Sequence, residues 1–213
     1  MYIKRSIIRS VVLTSAAIGA VALVAACGGA SDGGGRTTGR PVATATGVPA
    51  VAAGHNQADI AFAQGMIPHH RQAVQMAEMA ELRAGDPRVR SLASKIRAAQ
   101  QPEIDQMTAW LREWGVPAAP ASVGGHGMHG AAPGGLMPGM MTEHDMTGLE
   151  RVGGHGFDRM FLEMMIRHHE GAVQMAGTEV EEGQNPAAKS LAEKIRSDQT
   201  AEIRQMRNLL TGG

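Results

Sequence analysis

Apolar positions in this chain fall into four stretches with helical spacing. With Phe62 as origin and about 100° per residue, Met66, His69, Ala73, Met76 and Ala80 share one face. Leu92, Ile96, Ala99, Gln106 and Trp110 mark a second stripe, Phe161, Met165, His168 and Ala172 a third, and Leu191, Ile195 and Leu209 a fourth. The stripes break at Gly85-Asp86-Pro87 and at Gly183-Gln184-Asn185-Pro186, where Asp86 and Asn185 suit N-caps and each Pro suits the first helical position. This pattern predicts helices at 57–84, 86–114, 156–182 and 185–210. No helix with a single apolar stripe can bury it alone, so two such hairpins predict an all-α four-helix bundle. Pro68 predicts a kink in the first helix, or a regular helix that begins there.

The hairpins are copies of one another. Sliding the chain by 99 positions (168 minus 69) aligns Asp59–Leu111 with Asp158–Leu210 without a gap, and nearly half of the aligned positions are identical. Phe62, Met66, Ile67, His69, His70, Met76 and Ala77 recur as Phe161, Met165, Ile166, His168, His169, Met175 and Ala176. Lys95, Ile96, Gln100, Glu103, Ile104 and Met107 recur as Lys194, Ile195, Gln199, Glu202, Ile203 and Met206.

Outside the hairpins the composition changes. Lys4, Arg5 and Arg9 precede an apolar run from Val11 to Val24, which predicts an export signal over residues 1–26. The small residues before Cys27 are similar to a bacterial lipobox, which makes Cys27 the lipidated N-terminus of the mature protein; a cut at Ala-x-Ala that leaves Cys27 free is the alternative. Residues 27–56 are Gly, Ala, Thr and Pro with almost nothing to bury, as expected of a flexible tether, and 115–155 reads as a long Gly/Met/His-rich loop between hairpin 57–114 and hairpin 156–211.

Charge and composition then remove function classes. Twenty basic residues balance twenty acidic ones, which offers no electrostatic footprint for nucleic acid. With one Cys, any metal must rely on His, Met or carboxylate. Glu-x-x-His, His-Glu-x-x-His, Gly-x-Ser-x-Gly, a Walker loop and a dinucleotide fingerprint are all absent from the sequence.

Met and His remain as candidate chemistry. His69 and His168 lie in the buried stripes, whereas His70 and His169 fall on the flanks, where they are further candidate metal ligands or, if they bind no ligand or partner, solvent-facing imidazoles. Folding the first hairpin about its turn brings His69 level with Glu103, and the same register pairs His168 with Glu202. Packing the hairpins face to face then predicts a central cluster of His69, Glu103, His168 and Glu202, bordered by Met66 and Met165, with Met76 and Met175 further along the stripes. A satisfied polar layer that fixes register, and methionines that only fill space, would give the same pattern. The loop adds His126, Met128 and His129, then Met137-Pro138-Gly139-Met140-Met141 and Glu143-His144-Asp145-Met146, followed by His155. Thioethers suit Cu(I), and imidazoles suit Cu(I), Cu(II) and other transition metals.

The combination Asp59-x-x-Phe62, Met66-Ile67-Pro68-His69-His70 and Gln100-x-x-Glu103-Ile104-x-x-Met107 resembles the secreted bacterial family known as domain of unknown function 305. That resemblance implies a ferritin-like bundle built from paired-His hairpins; its CopM-like periplasmic members bind copper. Arg167 replaces the motif proline in the second copy, which makes the halves unequal. Three readings follow. The first is a lipid-anchored, extracytoplasmic metal-binding protein that buffers copper. The second is an envelope protein-interaction module with a structural His/Glu core. The third is a metal-dependent redox enzyme, which would need an open coordination position.

Overall fold

The computed structural model describes residues 54–118 and 137–212. The predicted export signal, lipidated Cys27 and nearly all of the tether lie outside the described residues, as does the stretch with His126, Met128 and His129. Five helices follow in order: α1 Gln57–Arg83, α2 Pro87–Glu113, α3 Glu143–Arg151, α4 Gly154–Glu182 and α5 Pro186–Leu210. The four long helices match the sequence expectation within about two residues, the usual uncertainty of a helix end.

Local chemistry sets the ends. Asn56 caps α1 in a capping box with Asp59, Asp86 caps α2 with Pro87 behind it, and Asn185 caps α5 with Pro186 behind it. Pro68 does not end α1, which runs through it without interruption. The long loop is less irregular than expected. Thr142 and Asp145 form a capping box that starts α3, so Glu143, His144 and Asp145 belong to a helix start.

α1 packs on α2 and α4 on α5, while the hairpins meet chiefly along α1 and α4; α2 and α5 barely touch. The seam therefore joins the two helices that carry the paired histidines. Two apolar clusters fill it. One combines Ala73, Met76 and Ala77 of α1 with Phe157, Phe161 and Met165 of α4. The other combines Phe62, Met66 and Ile67 of α1 with Ala172 and Ala176 of α4, backed by Met107 and Ile195. The first half of each central helix thus meets the second half of the other, an antiparallel crossing with the His pairs at its midpoint. Burial of these side chains supplies the main stabilisation, about 1.5–3 kcal/mol for each large one.

Candidate metal centre

Adjacent residues on a helix point about 100° apart, and α1 has a packed neighbour in each of two directions. His70 turns to α2, where its Nε2 lies 2.9 Å from Glu103 Oε2. His69 turns to α4, where its ring faces that of His168 with centroids 3.8 Å apart and planes tilted by 39°. On α4, His169 repeats the outward contact, 2.8 Å from Glu202 Oε2 on α5. All four imidazoles are fully buried.

This corrects the expected pairing. Glu103 and Glu202 are partners of His70 and His169 rather than of His69 and His168, and His70 and His169 are not solvent-facing. The register argument placed the carboxylates at the right level but could not choose between neighbouring residues. The result is a central imidazole pair with one His–Glu pair on each side, rather than one cluster of four.

The outer pairs are not equal. Glu103 also accepts from Lys194 of α5 at 2.9 Å, which ties the two hairpins together, whereas Glu202 has a more exposed side chain. Burial raises the Glu103 carboxyl, but His70 and Lys194 outweigh it and hold the group below its ordinary range. Burial pushes the His70 imidazole down, with Glu103 opposing.

The central pair carries no such compensation. Burial, reinforced by His70, lowers the His69 pKa to about 3, and burial followed by His69 pushes His168 well below its ordinary value. Both rings are therefore neutral at physiological pH, and each keeps a lone pair. His69 Nε2 lies 3.0 Å from the Pro138 carbonyl and so donates to it. Its Nδ1 is then the basic nitrogen, buried without a hydrogen-bond partner. Neither nitrogen of His168 has one either, although the His69 backbone approaches and opposes its shift slightly. Buried polar atoms without partners are uncommon in native proteins and call for an explanation.

A strap, residues 137–141, lies across this pair. Gln72 holds it by both ends of its amide: Met141 N donates to Oε1 at 2.7 Å and Nε2 donates to Met141 O at 2.9 Å. Gly139, at φ +78°, and Gly171 let strap and helix backbones touch; a Cβ on Gly171 would lie 2.0 Å from Pro138 O. Arg167 donates to Met141 Sδ at 3.5 Å. Position 72 of the first copy is position 171 of the second, and position 68 is position 167. The strap thus sits where the copies diverge, Gln72 against Gly171 and Pro68 against Arg167. Gln72 and Gly171 are not singled out by the sequence reading, although this divergence is the signal that could find them, and Pro138 enters there only as part of a Met-rich tract.

Other candidates disperse. Met66, Met76 and Met165 are buried in the apolar clusters, with Met66 and Met165 one turn ahead of the central imidazoles, while Met175 is half-buried. His144 is exposed, and His155 pairs with Asp158 at 3.2 Å. Among the described residues no three His, Cys, Asp or Glu side chains gather closely enough to hold an ion. Two neutral imidazoles still fit a soft metal, provided thioether sulfur completes the shell.

The fold has solved counterparts. A DUF305 protein from Streptomyces coelicolor, described as secreted, superposes with a TM-score of 0.64 at 34% identity, covering 73% of this chain and 93% of that one. CopM in its Cu(II)-bound form superposes with a TM-score of 0.60 at 34% identity, covering 72% of this chain and 96% of that one, and CopM is also solved in Cu(I)-bound, silver-bound and apo forms. Uncharacterized protein L153 of Acanthamoeba polyphaga mimivirus is 42% identical over 55 residues, 26% of this chain; the match spans 36% of that relative's length. The sequence profile of one family matches residues 59–210, both hairpins and the strap between them, and this chain belongs to that family, Domain of unknown function (DUF305).

Proposed function

We propose that this protein is exported, anchored outside the cytoplasmic membrane through lipidated Cys27, and binds copper there as a buffer or sequestering protein, with His69 and His168 as its core ligands. One observation carries the reading: two imidazoles from duplicated helices face each other in the buried interior, both neutral, with ring nitrogens that lack a hydrogen-bond partner. His69, His70 and His169 are each held at Nε2 and lack a hydrogen-bond partner at Nδ1, whereas His168 lacks one at both nitrogens, which a purely structural layer would not leave so. CopM, similar over most of its length, is solved with Cu(II), Cu(I) and silver, which supports the assignment. Met66 and Met165 are the thioethers nearest in sequence to the pair, and His126, Met128 and His129 are proposed as additional ligands that collect ions.

Titration of the purified chain with Cu(I) and with Cu(II) tests this reading. Wild type takes up metal stoichiometrically, and His69→Gln/His168→Gln loses the tightest site. The second reading, an interaction module with a structural core, has the His70–Glu103–Lys194 chain of hydrogen bonds in its favour. It requires that His69→Gln lower thermal stability while metal in the native protein stays substoichiometric.

A further inference from the structure

Beyond the imidazole pair, two sulfurs share a second place. A Cβ built on Gly65 would lie 3.6 Å from Met137 Sδ and 3.8 Å from Met175 Sδ, so both thioethers border the one position where α1 carries no side chain. In the other copy the equivalent of Gly65 is Met164, whose side chain fills its position, so the notch exists once in the bundle. Met175 is fixed on α4. Met137 is fixed by the strap, because the next residue offers its carbonyl to His69, Gly139 rests on α4, and Met141 is clamped by Gln72. Both methionines are half-buried, unlike Met66, Met76, Met107 and Met165 in the sealed core, so an ion can reach them from water.

We propose that Met137 and Met175 form a thioether site for a soft monovalent cation, Cu(I) or Ag(I), at the Gly65 notch beside the strap. Neutral thioethers bind soft monovalent ions and bind Cu(II) or Zn(II) poorly, so this site discriminates by oxidation state where the imidazole pair does not. Because Pro138 joins Met137 to His69, the site is a station next to the core ligands. The inference rests on the reading that the protein handles soft metal ions, yet it involves none of the core ligands.

The test is titration with Ag(I) and with Cu(II) of the full chain, of Met137→Leu/Met175→Leu, and of His69→Gln/His168→Gln. Leucine keeps the volume of methionine, so the fold is preserved. The methionine variant should lose one Ag(I) equivalent and keep its Cu(II) binding, whereas the histidine variant should lose Cu(II) binding and keep that Ag(I) equivalent. Peroxide oxidation followed residue by residue adds a local readout, since a bound ion shields the sulfur. In the His69→Gln/His168→Gln variant, where the imidazole pair no longer competes, one equivalent of Ag(I) should protect Met137 and Met175 together, with Met160 oxidised at an unchanged rate. An Ag(I) isotherm of the methionine variant that superimposes on wild type, or oxidation of Met137 and Met175 unaffected by Ag(I), overturns the proposal. Cu(II) binding indifferent to the histidine substitutions would instead sink the reading of the core and leave this site standing.

Discussion

Asp59 and Asp158 hold the same position in the two copies, and each closes the turn of the other copy's hairpin. Asp158 accepts from the backbone N–H groups of Gly85 and Asp86, both at 2.9 Å; Asp59 accepts from Asn185 at 2.9 Å and Gln184 at 3.2 Å. These reciprocal bonds lock the hairpins into the register that brings His69 onto His168.

Removing either carboxylate leaves turn N–H groups without their charged acceptor. Asp158→Ala and Asp59→Ala should each cost about 2–3 kcal/mol and lower Tm by roughly 5–10 °C, as read by thermal melts. An unchanged melt for Asp158→Ala would refute the locking role.

The unequal outer pairs predict unequal losses. Glu103→Ala strands the buried His70 and cuts the tie from Lys194 across the hairpins, leaving that lysine Asp198 on its own helix, and should cost about 2–4 kcal/mol. Glu202→Ala, whose carboxylate is more exposed, should cost nearer about 1 kcal/mol. Urea unfolding of the two variants decides, and equal costs would discard the asymmetry.

Glu179 stands where the first copy has Ala80, is fully buried beside Asp59, and has room for its carboxyl because Gly183 replaces Ala84. Burial, reinforced by Asp59, raises its pKa to about 8, while Asp59, against the effect of its own burial, is held low by Asn56, Glu179 and the turn N–H groups. A folded pKa raised above the ordinary 4.5 of the glutamate means that the folded state holds a proton the unfolded chain releases. The contribution of Glu179 to stability is therefore full below pH 4.5 and lost progressively as pH rises to about 8. Glu179→Gln, which stays neutral, should melt several degrees above wild type at pH 8 and together with it at pH 4.5. A constant offset at all pH values would reject the proton held by Glu179 in the folded state.

The strap has a simple probe. Gly to Ala inside a helix ordinarily stabilises by up to about 1 kcal/mol, but at Gly171 the added Cβ collides with Pro138 O. Gly171→Ala should therefore destabilise, by about 1–3 kcal/mol, and speed proteolysis within 137–141. A gain in stability would mean that the strap is not seated on α4.

The hairpins, their caps and their duplication were legible because each rests on local chemistry: a 3.6-residue period, Asp86-Pro87 and Asn185-Pro186, and one segment repeated at a fixed offset. The carboxylate level was legible too, since a hairpin turn fixes which residues lie opposite. The partner of each His was not. A single helical wheel assigns one buried face, and by that rule His70 belongs to solvent. α1 is covered by α2 and by α4, so two neighbouring residues are buried against different helices. The short helix α3 does not stand out in the stripe pattern: its start lies in a ligand-rich loop, and the signal for it is the capping box of Thr142 with Asp145.

By itself the sequence determined that two copies of a His-bearing helical hairpin would fold and bury their stripes together, because helix period and turn chemistry act over a few residues. Only the tertiary structure decided that His69 meets His168, that Glu103 serves His70, and that residues 137–141 cross over them. Those contacts depend on the angle and depth at which two hairpins dock, and side chains nearly a hundred positions apart set that geometry together.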